Sequence, residues 1–189
     1  MSNTARLSLP AQTIDSTEGT ARVLLAGAKA QAGFVPNMYA KMANSPGLLE
    51  TYLSGYQRFR EGSGFTPTEQ EVVLLTISRF HCCTYCMAAH SMIADKMSKV
   101  PSDVLRALRA GSAISDRKLA ILSEFTRVMV EQRGSPTPEQ LNIFTDAGYS
   151  ERQVLEIILA IGVKTLSNYC NHVVHTEVDP AFRDYTWEG

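Results

Sequence analysis

Residues 66–90 read TPTEQEVVLLTISRFHCCTYCMAAH, and they combine a strong helix-start signal with three cysteines and two histidines. The Thr-Pro-Thr-Glu sequence at residue 66 is a capping box with proline at the first helical position, which predicts a helix to about residue 80. A second helix is predicted to begin near Cys83 and to continue to about Lys99. This predicted pair of helices is the starting point for the fold prediction.

The rest of the chain also has the residue spacing of helices. No segment alternates apolar and polar residues as a half-buried strand does. Further helices are predicted at residues 16–32, in a short piece after Pro36, at residues 46–60, 101–110 and 116–132, from Thr137, and from Ser150 to about His175. The fold is predicted to be all-α, with a single helical domain at residues 16–189 behind an N-terminal arm at residues 1–15.

The sequence contains a faint internal repeat. A shift of 84 residues aligns Thr66 with Ser150 and Cys86 with Cys170. The second copy replaces the reactive residues: it has Ser167 in place of Cys83, Leu155 in place of Glu71 and Val174 in place of His90. The match favours a degenerate duplication of a helical hairpin, although chance similarity between two capped apolar helices explains it equally well.

The composition of the chain narrows the classes of partner and compartment. The 189 residues include 18 basic and 19 acidic side chains with no long run of one sign, so we expect neither nucleic acid nor a membrane surface as partner. No apolar run approaches the roughly 18 residues of a membrane span, and the N-terminus lacks the apolar core of a signal peptide. We therefore expect a cytoplasmic protein. In a reducing compartment, three cysteines within residues 82–86 indicate redox work or metal binding.

Cys83 and Cys86 form a C-x-x-C pair, and His90 follows the second cysteine by four residues. On a helix the three positions lie within roughly 60° of one another, so the sulfurs and the imidazole share one face. A helix N-terminus stabilises a thiolate by only about 0.3–1 kcal/mol, less than one pKa unit. His90 is therefore predicted to accept the thiol proton, and the arrangement is a dithiol with a base beside it.

Glu71 is the candidate carboxylate behind that imidazole. In one unbroken helix it would lie about 18 Å from Cys83 along the axis and about 120° around it, too far to reach the site. The proton relay therefore requires a helix break between residues 79 and 84, so that the two helices pack side by side and Glu71 faces His90. A glutamate early in a helix also interacts favourably with the helix dipole, which leaves a purely structural role open.

Several motifs together resemble the alkylhydroperoxidase D-like (AhpD-like) branch of the carboxymuconolactone decarboxylase superfamily, specifically its peroxidase-related members. They are the E-x11-C-x-x-C-x3-H spacing, the capped helix, FVPN at residues 34–37 and GYSERQVLEIILAIGVKTLSNYCNH at residues 148–172. The likeness spans roughly residues 20–180. It implies an all-helical subunit that forms homo-oligomers, often trimers or hexamers. It also implies a thiol-dependent antioxidant enzyme that reduces hydroperoxides or a partner disulfide, with no organic or metal cofactor.

Carried over by position, the resemblance makes Cys86 the peroxide-reactive thiol and Cys83 the resolving thiol, with His90 and Glu71 as the proton relay. The implied electron donor is a dithiol such as dihydrolipoamide, or a redox protein. The best-studied members of the family have a histidine just before the second cysteine, where this chain has Tyr85. A relay member is thus absent or is replaced by a phenol, so dithiol redox capacity is better supported than peroxidase activity.

The sequence also predicts which cysteines are exposed. Cys83, as the earlier cysteine at a helix start, is expected to be the thiol that a reductant meets first. On a regular helix its β-carbon would lie about 5–6 Å from that of Cys86, so a disulfide would distort the first turn. Cys82 and Cys170 are expected to be buried packing thiols. The other histidines, His81, His172 and His175, are expected to be structural or solvent-facing, with Asn168 and His172 as candidates for lining a pocket.

Three alternative functions stay open at this point. A zinc site could use Cys83, Cys86 and His90, with His81, Cys82 or Glu71 as a fourth ligand. Structural zinc normally pairs two such knuckles, however, and the sequence has no second C-x-x-C. The second alternative is the cofactor-free lactone decarboxylation of the same superfamily, which needs no dithiol. The third is a non-enzymatic, oligomeric helical protein.

Overall fold

A computed structural model describes residues 4–189, and every regular element in that range is helical. The elements are α1 (Gly19–Ala32), α2 (Asn37–Met42), α3 (Pro46–Gly62), α4 (Pro67–Phe80), α5 (Thr84–Lys96), α6 (Ser102–Ala110), α7 (Arg117–Glu131), α8 (Pro138–Asp146), α9 (Glu151–Val174) and a 3-10 helix (Pro180–Tyr185). The predicted all-α fold is confirmed. Residues 1–3 of the predicted arm lie outside the described residues, and the division into arm and domain stays a prediction. Within residues 4–189, no helix has the length and apolar character needed to cross a bilayer.

Helix α4 lies at the centre of the fold. Every residue from Glu69 to Ser78 is buried, as expected for a helix that is covered on all sides. Its neighbours are α5, α6, α7 and α9. The predicted capping box forms: Oγ1 of Thr66 accepts the backbone N–H of Glu69, and the Glu69 carboxylate accepts the backbone N–H of Thr66. The cap thus fixes where the central helix begins.

The predicted break between α4 and α5 is confirmed. Helix α4 ends at Phe80, and α5 begins at Thr84 with Cys83 as its N-cap. Between them, Cys82 has a φ of 54°, the left-handed conformation that reverses the chain. The backbone N–H of Cys83 donates to the carbonyl of Ser78 at 2.9 Å and closes the end of α4. This turn folds α5 back along α4.

Helix α9 does not repeat this break. It runs unbroken from Glu151 to Val174. Residues 165–167, which the 84-residue shift aligns with the turn after α4, remain helical. The internal repeat therefore extends to the capped starts of α4 and α9, and the second copy continues as one long helix instead of a hairpin.

The segment after α9 returns across α5. The Tyr85 hydroxyl donates to Oδ2 of Asp179 at 2.6 Å, and the backbone N–H of Asn37 donates to Oδ1 of the same carboxylate at 3.1 Å. Further along the segment, the Arg109 guanidinium donates to the backbone carbonyls of Tyr185 and Thr186. These bonds hold the C-terminal segment against the helix that carries the cysteines.

Replacing Thr66 by alanine should destabilise the protein by about 1 kcal/mol, because the first turn of α4 loses its side-chain cap. The free energy of unfolding is measured by urea denaturation followed by circular dichroism. Thr66→Ser keeps the hydroxyl and should lose much less stability. Equal stability of Thr66→Ala and the wild type would contradict the role of this cap.

Candidate active site

The two thiols of the C-x-x-C pair are buried between α5 and α9. Cys83 is 1% exposed and Cys86 is 2% exposed, and both are free thiols. The side-chain amide of Asn171 on α9 donates to both sulfurs, with Nδ2 at 3.3 Å from Cys86 Sγ and 3.6 Å from Cys83 Sγ. The prediction that Cys83 is the exposed thiol is wrong, because the left-handed turn directs Cys82 outward and Cys83 inward toward α9.

Cys83 lies outside the helix. As N-cap it has extended backbone angles (φ −85°, ψ 96°), whereas Cys86 belongs to the first turn of α5. The β-carbon separation expected for two positions on a regular helix therefore does not apply. Both sulfurs are free thiols that share the Asn171 side-chain amide as hydrogen-bond donor. The two sulfurs are not at disulfide distance, so the expectation that a disulfide would distort this turn stays a prediction.

The two cysteines differ in their tendency to ionise. Burial raises the pKa of Cys86, but the hydrogen bond from Cys83 and the nearby side chains of Lys164 and His90 outweigh burial and hold that pKa well below its ordinary value. The pKa of Cys83 is raised, because its thiol proton is held in the hydrogen bond to Cys86 and because it is buried. These opposite shifts favour a thiolate on Cys86 and a protonated thiol on Cys83.

The structure brings Glu71 and His90 together, because the break between α4 and α5 lets the two helices pack side by side. Nδ1 of His90 lies 3.0 Å from Oε2 of Glu71. A carboxylate can only accept, so Nδ1 carries the proton and Nε2 is left as the basic nitrogen. Burial, and then Lys164, lower the pKa of His90 against the opposing effect of Glu71, so the imidazole is neutral near pH 7. Within residues 4–189, no hydrogen bond joins His90 to Cys86, because the imidazole is bound to α4 and the sulfur faces α9.

Glu71 has a second cationic partner that the sequence did not reveal. Arg60 of α3 forms an ion pair with Oε1 of Glu71 and also donates to the Tyr56 hydroxyl at 2.6 Å. Burial raises the pKa of Glu71, but His90 and Arg60 outweigh it and lower that pKa. The fully buried carboxylate is therefore ionised, and it joins α3, α4 and α5.

Helix α9 contributes a polar stripe that faces the thiols. Its four members are buried and follow helical spacing: Lys164, Ser167, Asn168 and Asn171. Oγ of Ser167 lies 3.9 Å from Cys86 Sγ, and Oδ1 of Asn168 lies 2.9 Å from Nδ1 of His81. Asn168 was the one member of this set predicted to line a pocket, Ser167 was noted only as the counterpart of Cys83, and the other predicted pocket residue, His172, is exposed. Helical periodicity is the sequence signal that could have identified these residues, because the stripe continues the face of α9 on which Ile157 and Ala160 are buried.

Comparison with known proteins gives matches among solved structures. No protein-family profile and no curated protein sequence matches the chain. It is similar to the alkylhydroperoxidase AhpD core of an uncharacterised peroxidase-related protein from Ralstonia eutropha JMP134, with a TM-score of 0.81 at 17% identity over 92% of this chain and 93% of that one. The chain has the AhpD-like fold.

Two further structures share this AhpD-like fold. A peroxidase-related protein from Silicibacter sp. TM1040 matches with a TM-score of 0.75 at 17% identity, over 96% of this chain and 97% of that one. A cysteine-to-alanine variant of the debrominase Bmp8, in complex with 2,3,4-tribromopyrrole, matches with a TM-score of 0.69 at 17% identity, over 86% and 87% of the two chains. The fold predicted from the sequence resemblance is thus confirmed.

Tyr85 of this AhpD-like chain does not occupy a relay position. Its hydroxyl donates to Asp179, and both burial and that carboxylate raise the pKa of the phenol. The residue between the cysteines thus binds the C-terminal segment. The prediction for the other cysteines also needs correction: Cys82 is exposed because of its left-handed turn, and Cys170 is partly exposed on α9.

The candidate zinc ligands do not converge. Across residues 4–189, no three His, Cys, Asp or Glu side chains form a group that could hold a metal ion. The Nδ1 atom of His90 is bound to Glu71, and Cys82 lies exposed at the turn. The zinc alternative therefore finds no site in the described part of this AhpD-like fold.

The free energy of unfolding should decrease as the pH is lowered from 7 to 5. Burial lowers the pKa values of His81 and His90 below the ordinary 6.5, so the unfolded chain binds more protons than the folded one in this window. The lowered pKa of Cys86 acts in the same direction. The lowered pKa values of Glu69 and Glu71 matter only below the ordinary 4.5.

Urea titrations at pH 7, 6 and 5 measure this dependence. His90→Gln removes one of the contributing groups and should flatten the pH dependence. A free energy of unfolding that stays constant or rises toward pH 5 would contradict the neutral, buried state of the two imidazoles.

Proposed function

We propose that this protein is a thiol-dependent oxidoreductase that reduces hydroperoxides, or a partner disulfide, through a Cys83–Cys86 dithiol–disulfide cycle. The observation that carries the proposal is the asymmetry of the buried pair. The lowered pKa of Cys86 favours a thiolate, and a thiol proton on Cys83 is held against it. A nucleophilic sulfur in contact with a second thiol is what such a cycle needs.

The chemistry proceeds in two steps. The Cys86 thiolate attacks a hydroperoxide oxygen; an S–O bond forms, the O–O bond breaks, and the departing oxygen takes a proton and leaves as an alcohol. Cys83 then attacks the sulfenic sulfur of Cys86, so that the S–S bond forms and water leaves. Two thiols are oxidised to a disulfide while one hydroperoxide is reduced to an alcohol and water.

His90 and Glu71 support the second step in this proposal. Glu71 holds the proton on Nδ1 of the neutral imidazole, which leaves Nε2 able to accept a proton. The Cys83 thiol must lose its proton to attack, and a neutral base in the same buried region can take it. The pairing of His90 with an ionised carboxylate stabilises the imidazolium that forms.

Reduction of the disulfide requires an external dithiol. Thiolate attack by the donor opens the S–S bond through a mixed disulfide, and the second donor thiol completes the transfer of two electrons. Because both sulfurs are buried, a slender donor such as dihydrolipoamide fits the site better than a broad protein surface.

A second candidate substrate class is a brominated aromatic ring, favoured by the structural likeness to Bmp8. Three tyrosines, Tyr39, Tyr52 and Tyr56, lie in a row with ring centroids 5.8 and 5.9 Å apart, the first pair tilted and the second stacked, and burial together with the nearby Cys86 raises the pKa of each phenol. In this alternative reaction the C–Br bond breaks, the bromine binds to Cys86 Sγ, and the ring carbon takes a proton. Cys83 then attacks Cys86 Sγ, bromide leaves, and the same disulfide forms. The wild-type protein with a bromopyrrole and the same dithiol donor tests this candidate by release of bromide.

The peroxidase proposal is tested by hydroperoxide consumption with dihydrolipoamide as donor. Cys86→Ser should abolish turnover. In Cys83→Ser, Cys86 should be oxidised once to a sulfenic acid, which dimedone traps, and turnover should then stop because no resolving thiol is present. His90→Ala should lower the rate by about 10²-fold or more, because the base for Cys83 is lost.

The matched controls for this assay are Cys82→Ser and Cys170→Ser, which should keep the wild-type rate because neither sulfur belongs to the pair. Equal rates in all variants would discard the cycle. Lactone decarboxylation that survives Cys86→Ser would instead favour the dithiol-independent chemistry of the superfamily.

We also propose that the protein forms a homo-oligomer, with a trimer or a hexamer expected from the resemblance. The outer face of α9 exposes large apolar side chains, with Leu155 at 66%, Ile158 at 48% and Tyr169 at 55%. A continuous exposed apolar stripe of this kind marks an interaction surface. Because the stripe is on the helix that lines the thiols from its other face, association would support the site from outside.

Light scattering coupled to size-exclusion chromatography should give a mass above that of the 20.8 kDa monomer. The double substitution Leu155→Glu and Ile158→Glu should reduce that mass to the monomer, since charges would replace the apolar stripe. Met97→Glu, at an equally exposed apolar side chain away from α9, is the control and should leave the mass unchanged. A monomeric wild type would overturn the proposal.

A further inference from the structure

Lys164 has no part in the cycle proposed above, yet it lies in the same buried region. Its side chain is 0% exposed, and no hydrogen bond of ordinary geometry reaches Nζ among residues 4–189, yet the group is near enough to Cys86 to lower the pKa of that thiol. Moving an ammonium group out of water costs several kcal/mol unless an opposite charge lies nearby. A lysine in this position therefore needs a negative partner.

The position of Lys164 on α9 identifies that partner. Lys164 precedes Ser167 by about one helical turn and Asn171 by two, on the same face, and both of those side chains contact Cys86 Sγ. The buried carboxylate of the site, Glu71, is already paired with Arg60 and His90. The remaining negative charge on this face is the Cys86 thiolate.

We propose that Lys164 is the counter-ion of the Cys86 thiolate and the proton donor to the oxygen that leaves when Cys86 is oxidised. This inference rests on the proposed function. As the S–O bond forms and the O–O bond breaks, the alkoxide takes a proton from the Lys164 ammonium and leaves as an alcohol. A neutral amine then faces an uncharged sulfenic acid, and later the disulfide. When the dithiol donor reduces the disulfide, the amine recovers a proton from the incoming thiols.

This assignment keeps the buried charge balanced through the cycle. The reduced site holds an ammonium beside a thiolate, and the oxidised site holds an amine beside a disulfide, so neither state leaves a single charge in the interior. It also divides the proton transfers between two residues. His90 is neutral near pH 7 and donates a hydrogen bond from Nδ1–H to Glu71, so its Nε2 is suited to accept a proton from Cys83, whereas Lys164 is suited to donate one.

Other ionisable groups interact electrostatically with Cys86. They are Tyr39 of α2, Tyr52 and Tyr56 of α3, His81 just after α4, the N-cap residue Cys83, Tyr85 and His90 of α5, and Cys170 of α9. The four phenols have pKa values raised by burial and are neutral at pH 7, and both imidazoles have lowered pKa values. Arg60 is already paired with Glu71, which leaves Lys164 as the basic side chain that acts on Cys86 without a carboxylate partner.

The first experiment measures the alkylation of Cys86 by iodoacetamide against pH, in reduced protein that also carries Cys82→Ser and Cys170→Ser. Lys164→Met should shift the rate profile toward alkaline pH by at least about one unit, which is about a tenfold loss of rate at pH 7. The methionine side chain suits the buried position, and Lys164→Gln is the second neutral variant should Lys164→Met fail to fold. A folded neutral variant with an unchanged profile overturns the proposal.

Lys164→Arg separates the two roles. Its guanidinium keeps the positive charge but does not give up a proton, so the alkylation profile should stay close to that of the wild type. Formation of the sulfenic acid by a hydroperoxide should fall by about tenfold or more, because the leaving oxygen lacks its donor. A wild-type rate of sulfenic acid formation in Lys164→Arg would overturn the proton-donor role.

The alkylation measurement is independent of the proposed function. Alkylation requires neither a hydroperoxide nor an electron donor, so it reports on the ion pair even in a protein that consumes no peroxide. A shifted profile in Lys164→Met without any peroxide turnover in the wild type would support the counter-ion and overturn the proposed peroxidase. An unchanged alkylation profile in Lys164→Met, together with full peroxide turnover in the wild type, would overturn the counter-ion and support the proposed peroxidase.

Discussion

The site depends on one buried carboxylate. Glu71 lies within the central helix, fully out of water, and holds Arg60 of α3 and His90 of α5. Loss of one partner from such a buried arrangement costs about 3–5 kcal/mol, because the remaining charge is left without compensation. The exposed pair of Arg127 and Glu124 on α7 is of a kind that contributes about 0–1 kcal/mol. The ion pairs of Glu71 therefore fix the relative positions of three helices and the orientation of the imidazole at the same time.

The turn between α4 and α5 is the second constraint. One left-handed residue, Cys82, reverses the chain, and the adjacent Cys83 then becomes the N-cap of α5 with its sulfur directed inward. This geometry separates two neighbouring cysteines, one in solvent and one at the site. It also frees the sulfur of Cys83 from the spacing of a regular helix, which allows the hydrogen bond that favours the thiolate on Cys86.

The sequence was sufficient for features that depend on local chemistry or on simple reach. The capping box at Thr66 has a local sequence signature. Glu71 would be too far from the cysteines along one unbroken helix, so a proton relay between them required a helix break. Features that depend on tertiary contacts were not accessible. Arg60 reaches Glu71 from another helix, and lysine is so rarely buried that Lys164 gave no reason to expect it in the interior. The predicted exposure of Cys83 was wrong for the same reason, because packing against α9 determines whether that side chain is buried.

The bond between Tyr85 and Asp179 has a practical consequence for shortened forms of the protein. A chain trimmed at the end of α9 would lack the acceptor for the hydroxyl of Tyr85, a buried residue that lies between Cys83 and Cys86 in the sequence. It would also lack the carbonyls that Arg109 binds and the indole of Trp187, which donates to the Arg109 carbonyl at 2.9 Å. An unsatisfied buried polar group costs about 1–3 kcal/mol, so trimming would disturb the reactive turn although no reactive residue is removed. The carboxyl-terminal residues therefore belong to the reactive centre's own scaffold.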